Sequence, residues 1–259
     1  MQKRALRWSE GVCVLEGPDL IDAALASGAE FEGLYIDSGA LAFEPWSSLA
    51  RRAGDAGVRV FALERGVLDK VAESMTPQPA LAAVRFDAPE VTSLDGSGLV
   101  LVLHDVRDPG NAGTIIRSAD AAGVEAVIFT GQSVDPYNPK ALRASAGSIF
   151  HLAVVVSAYD EALAHLRARG AKVWATSLDA TRELRDVDLR GSNVVVIGNE
   201  AAGLDPATVA KCDDSFRIAM AGRSESLNAG VAASLIAFYS MWQRQGANEV
   251  VARPNLGGL

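Results

Sequence analysis

Cysteine is scarce in this chain of 259 residues, with only Cys13 and Cys212 present and almost the whole length between them. One distant pair makes no disulfide framework, so the fold must rest on burial and hydrogen bonding, as in a reducing compartment. Histidine is nearly as rare, and His104, His151 and His165 show none of the spacings of a metal-ligand set. No stretch approaches the roughly 18–20 consecutive apolar residues of a membrane helix. Met1 to Arg7 is basic, but the apolar residues that follow are interrupted at Ser9, Glu10 and Glu16, so no secretory leader is expected. The expectation is a soluble cytoplasmic protein with no metal and no membrane partner. Basic residues are also in deficit, 24 against 32 acidic, for a net charge of −8. That balance argues against a partner held by general attraction to phosphate. A GxGxxG turn after a strand, a GxxxxGK[ST] loop and a GxSxG elbow are all missing, which disfavours a nucleotide- or dinucleotide-dependent enzyme and a serine hydrolase.

What is present is a globular composition, 49% hydrophobic and 22% charged, long enough for two small domains or one large one. A segment rich in Pro, Gly, Ser and Asp, FDAPEVTSLDGSG at Phe86 to Gly98, separates two series of alternating strand and helix patterns. The expected division is a first domain over 1–90, a linker over 91–98 and a second domain over 99–259. Residues 1–95 hold nine basic and fifteen acidic side chains, net −6, and the remainder is only −2.

In the first part, VCVLEG, FEGLYID, VRVFAL and LAAVRF read as strands, and DLIDAALASG, SSLARRAGDAG and GVLDKVAES as helices. In the second, LVLVLH is a continuous apolar run, as in a strand covered on both faces. VEAVIFTG, HLAVVV, KVWATSL and NVVVIGN follow as strands, with FRIAM as a short last one. TIIRSADAAG, Lys140 to Ala146 and DEALAHLRARG read as helices, and residues 226–246 as a long closing helix. The pattern predicts an α/β fold with a parallel sheet.

Three loops directly follow buried strands, where parallel sheets bind ligands. The first, at 105–123, carries Asn111 in a Gly/Pro-shaped turn and Arg117 six positions on, a guanidinium able to fork onto phosphate. A helix capped by Asn111 with a solvated Arg is the plain alternative. The second, at 194–206, sets Glu200 between Gly198 and Gly203 with no basic neighbour, which suits a neutral or cationic ligand approached by backbone. Glu200 could equally charge the start of the next helix. The third, at 218–234, ends a strand, makes a polar Gly-Arg-Ser-Glu turn and opens a helix at Ser226-Leu227-Asn228, where Ser226 could serve as the cap.

Taken together, DxRDPGNxGxxxRxAxAxG at Asp105 to Gly123, GNEAxGL at Gly198 to Leu204 and IxMxGxxxSLN at Ile218 to Asn228 resemble the SpoU (TrmH-like) branch of the SPOUT RNA methyltransferases. DPYNPKALRASAGSIF at 135–150 is also similar to the segment those enzymes carry after their first motif, and EGPDLIDAAL to the start of a ribosomal-protein-like accessory domain. The resemblance implies a deep trefoil knot, a homodimer, S-adenosylmethionine as cofactor, and methylation of a ribose 2′-hydroxyl in ribosomal or transfer RNA. It implies a cofactor set of Thr176, Gly198, Asn199, Glu200, Gly203, Ile218, Met220, Ser226 and Leu227. Asn111, Arg117, Glu200, Ser226 and Asn228 would carry catalysis, and Arg107, Arg117, Lys140 and Arg143 would meet RNA. Ala219, Ala229 and Ala153 depart from the family's commoner Pro, Val and Pro; the lost prolines leave the unbound loop freer. A catalytically silent RNA-binding relative is the alternative, and a modest local basic groove within an acidic molecule is the expected grip on RNA.

Overall fold

The computed structural model describes residues 3–70 and 77–247. Its first part is a mixed four-stranded sheet. Helix α1 (Arg4–Glu10) leads into β1 (Val12–Glu16), followed by α2 (Pro18–Ala26), β2 (Phe31–Asp37), α3 (Trp46–Asp55), β3 (Val60–Leu63) and β4 (Ala80–Arg85). The order is β1-β4-β2-β3, with β4 antiparallel to both neighbours and β2 parallel to β3. Alternation places Leu34, Ile36, Ala82 and Val84 in the core beneath α2 and α3. The sequence does not announce α1. Of the expected helix after Gly66, a single 3-10 turn at Leu68–Lys70 is seen, and the rest lies outside the described residues.

The second part is a six-stranded, wholly parallel sheet ordered β10-β8-β9-β5-β6-β7. Its elements are β5 (Leu99–His104), α4 (Pro109–Ala121), β6 (Ala126–Thr130), α5 (Pro139–Ser145), β7 (Ala153–Val156), α6 (Tyr159–Ala168), β8 (Lys172–Thr176), β9 (Asn193–Ile197), α7 (Pro206–Val209), β10 (Asp214–Phe216) and α8 (Ala229–Ala247). The central β5 and β9 are buried along nearly their whole length, which explains their unbroken apolar runs. The last strand stops at Phe216, short of the expected FRIAM. Beyond it the backbone turns to residues 182–184, Arg217 N–H donating to the Arg182 carbonyl at 3.0 Å, so Ile218 and Met220 lie in irregular chain.

The segment between the sheets is no loose tether. Val91 and Leu94 are buried against α6, and the Glu125 carboxylate accepts the Gly96 and Gly98 N–H groups at 2.6 and 2.7 Å. Side chains also join the two sheets. Arg7 of α1 pairs with Asp135 at 2.6 Å, each side chain only 4% exposed, and Trp8 Nε1 donates to the same carboxylate. Tyr137 stacks on Phe86, with Trp8 edge-on to both rings. At β1, Glu16 takes Arg143 of α5 at 3.0 Å.

Candidate functional site

At the carboxyl ends of β8, β9 and β10 lies a cleft of about 310 Å³, within the range of small-ligand pockets. Thr176 lines it from the end of β8, its hydroxyl tied to the Val196 carbonyl at 2.9 Å. Gly198, Asn199, Glu200 and Gly203 line it from the loop after β9. Ile218 and Met220 come from the chain after β10, and Ser226 and Leu227 from the approach to α8. The nine residues expected to hold the cofactor therefore surround one cavity. Leu178 and Asp179, beyond β8, also line it and carried no sequence signal.

The loop after β9 is shaped by its own backbone. Asn199 and Gly203 exchange two main-chain hydrogen bonds, and Asn199 Oδ1 accepts the N–H groups of Ala201 and Ala202. The turn passes so close to its start that a Cβ on Gly198 would lie 2.6 Å from the Leu204 nitrogen and nearer still to the Gly203 carbonyl. Only glycine fits there.

Glu200 points out of this turn toward the loop after β5. Its carboxylate accepts Asn111 Nδ2 at 2.9 Å, Asp108 N–H at 3.2 Å and Arg107 N–H at 3.3 Å. Asn111 Oδ1 in turn accepts Asn228 Nδ2 at 2.9 Å, and Asn228 Oδ1 takes Gly230 N–H at 2.9 Å and Val231 N–H at 3.2 Å. Three motifs far apart in sequence thus meet in one directed line of hydrogen bonds. Every amide orientation in it is fixed by a backbone donor at one end and a carboxylate at the other. Partial burial pushes the Glu200 carboxyl up, but the hydrogen bonds from Asn111, Asp108 and Arg107 outweigh it and hold the group below the ordinary glutamate value.

Several local expectations are corrected. Asp108, not Asn111, caps α4, its side chain accepting Asn111 N–H at 2.8 Å, and the helix begins at Pro109 rather than near Thr114. Asn228, not Ser226, receives the first N–H groups of α8, which starts three residues later than expected. Glu200 does not charge the helix that follows it; Asp205 caps α7, and Glu200 sits instead against the start of α4. A short carboxylate or amide at a chain bend takes whichever N–H groups the tertiary fold presents, and that is invisible to local sequence.

Of the basic residues expected to meet RNA, Arg107 is exposed beside Glu200, and Lys140 is exposed with Asp108 at 3.6 Å. Arg143 is exposed as well, but its guanidinium pairs with the buried Glu16 at 3.0 Å and so joins the two sheets. Arg117 is exposed on α4, makes no ion pair among the described residues, and does not reach the Glu200–Asn111–Asn228 line of its own chain.

One residue that organises this region opens the first motif but was given no site role from the sequence. Asp105, at the end of β5, adopts a left-handed backbone with φ 59°. Its Oδ1 accepts Gln132 N–H at 2.5 Å on one side, and its carbonyl accepts Asn199 Nδ2 at 2.9 Å on the other. It therefore laces the exits of three adjacent strands, β6, β5 and β9. Asp is among the few non-glycine residues found in that backbone region with any frequency, which suits it to the motif's first position.

The SpoU rRNA Methylase family model matches residues 98–238, and an MRM3-like substrate binding domain model matches residues 1–82. The 23S rRNA (guanosine(2553)-2′-O)-methyltransferase RlmP of Bacillus subtilis is 34% identical over 185 residues, 71% of this chain and 73% of its own. The crystal structure of the SpoU methyltransferase AviRb from Streptomyces viridochromogenes in complex with AdoMet superposes with a TM-score of 0.83 at 30% identity, covering 93% of this chain and 94% of that one. An AdoMet-bound rRNA methyltransferase from Sinorhizobium meliloti gives 0.80 at 27% identity, over 92% and 90%. With a matched model over more than half its length and relatives of this extent, the chain belongs to the SpoU rRNA methylase family.

Proposed function

We propose that this protein transfers a methyl group from S-adenosylmethionine to a ribose 2′-hydroxyl of ribosomal RNA, acting as a homodimer. The observation that carries the reading is the line Glu200–Asn111–Asn228 at the cleft, which joins three motifs in one fixed geometry. The cleft suits the cofactor chemically. Ile197, Phe216 and Ile218 supply apolar wall, backbone groups of the Gly198–Gly203 turn supply polar contacts, and Glu200 and Asp179 supply negative charge toward a cation. The bound cofactor supplies a methyl already activated on sulfonium. The chain must align a weak nucleophile in line with it and ease the loss of one proton.

Asn111 and Asn228 are assigned to orienting the ribose hydroxyl, since their amides are locked by the carboxylate and the α8 backbone. Arg117 is assigned to the RNA phosphate and the developing alkoxide, because a guanidinium with a pKa above about 12 is a poor proton acceptor. The dimer reading rests on α8. Val231, Leu235 and Trp242 are exposed along one face, Trp242 at 57%, with Phe238 beside it. Arg117 stands on α4, which packs alongside α8 through the Ser118–Ser234 hydroxyl pair at 2.6 Å. A second copy covering the α8 stripe would therefore bring Arg117 to the boundary between subunits. The trefoil threading of the cleft loops belongs to the same reading. The silent-relative alternative has no support in a site whose Asn111, Glu200 and Asn228 are mutually engaged.

Incubation with labelled S-adenosylmethionine and ribosomal RNA from cells lacking the gene tests the proposal. Mass spectrometry of the digested product should show one 2′-O-methylated nucleoside. Absence of any ribose methyl in vitro and in cells would overturn it.

A further inference from the structure

We infer that the first sheet carries a shelf on which an unpaired base of the RNA substrate stacks, formed by Tyr35, Phe61 and Arg59; the inference rests on the activity proposed above. Tyr35 of β2 and Phe61 of the edge strand β3 are register partners, and their rings lie stacked, centroids 5.2 Å apart and 14° from parallel. Phe61 is 39% exposed. A cross-strand aromatic pair often does no more than stabilise a sheet. Three further features go beyond that.

The pairing of β2 with β4 shifts register between Phe31 and Gly33, a bulge that turns Glu32 out of the ladder. At Gly33 a Cβ would lie 3.0 Å from the Phe61 ring and 3.3 Å from the Tyr35 hydroxyl, so the glycine lets both side chains lie low across the strand. The bulge also presents the Glu32 carbonyl to Arg59 Nη2 at 3.2 Å, which holds the guanidinium 5.9 Å from the Phe61 ring centroid.

Charge decides the occupant. Glu30 and Glu32, on β2 and its approach, are both taken by Arg85. Arg59 has no carboxylate partner among the described residues and is exposed. What remains is a flat aromatic surface beside one uncompensated, oriented cation. That combination matches a nucleobase face with its adjoining phosphate, and it discriminates single strands from duplexes, whose bases are already stacked. It also fits an acidic molecule, because stacking needs no basic field.

The probe is a short single-stranded oligoribonucleotide with one central 2-aminopurine, whose fluorescence falls on stacking, compared with the same strand in a duplex. The full chain should quench the single strand and not the duplex. Phe61→Ala should weaken single-strand binding and raise the KM for ribosomal RNA by about tenfold, as expected for one lost base–aromatic stack. Its kcat and S-adenosylhomocysteine affinity should stay unchanged, with only the small fall in melting temperature that a lost cross-strand ring pair brings. Phe61→Trp should keep wild-type behaviour, and Arg59→Gln should fall between. Wild-type quenching and KM in Phe61→Ala would overturn the shelf, as would an equal loss of duplex binding. Because quenching needs no turnover, failure of the shelf and failure of the methyltransferase reading are separable.

Discussion

Glu200 is solvent-exposed, and yet its carboxylate accepts three hydrogen bonds. Its folded value lies below the unfolded one, so its contribution to stability is present above the ordinary glutamate range and is lost as pH falls through the lowered value. Methyl transfer should therefore show no acidic limb from this group between about pH 5 and 8, readable in the pH profile of kcat. Hydrogen bonds to a charged group are worth about 1.5–3 kcal/mol each, so Glu200→Gln should lower transfer about ten- to a hundredfold. Asp105 can be tested by backbone preference. Asp105→Asn keeps the left-handed tendency and an acceptor and should act like wild type, whereas Asp105→Val should cost about 1–3 kcal/mol of stability and raise the KM for cofactor. Thermal unfolding and steady-state kinetics read the two effects. Cys13 is fully buried, and burial pushes its thiol up to about 12, while Cys212 is half-buried and also raised by burial. A thiol reagent at neutral pH should leave Cys13 untouched until the chain unfolds.

At the scale of elements, strands were the most legible feature. LVLVLH and NVVVIGN are uninterrupted apolar runs because both faces of β5 and β9 are covered. The cleft residues were legible because the three loops carry motifs, and eight of the nine expected cofactor positions lie in the second and third. The helix starts were not, since Asp108, Asp205 and Asn228 won their capping roles through neighbours brought by the fold. Helix α1 escaped because its sole fully buried residue is an arginine, and its partner lies 128 positions away. The Arg143–Glu16 pair was illegible for the matching reason: a lone arginine on a short helix gives no hint of Glu16 across the molecule. The α8 stripe makes its own prediction. Leu235→Glu with Trp242→Glu should yield a folded monomer by light scattering with methyl transfer lost, and a dimer that survived both changes would remove α8 from the interface.

For the whole molecule, net acidity did not exclude an RNA substrate, because the excess sits mainly in residues 1–95, at −6. The two parts are held together by a buried ion pair. Removing one partner of such a pair typically costs about 3–5 kcal/mol, so Arg7→Ala should lower the melting temperature markedly. Arg7→Met with Asp135→Leu should recover much of that loss, since no charge is then left buried alone. Differential scanning calorimetry of the three proteins distinguishes the pair's net worth from the cost of an orphaned carboxylate.

The Arg7–Asp135 and Glu16–Arg143 contacts, with the stacked rings of Phe86 and Tyr137 between them, also set a length. These contacts fix the spacing between the two sheets in this structure, so the base shelf and the cleft proposed above stand like the jaws of a calliper, a set span apart. Target choice then becomes a matter of spacing as much as of base identity. An RNA lengthened by a nucleotide between the two points should therefore bind and react more weakly, with the loss read in the KM for the lengthened substrate.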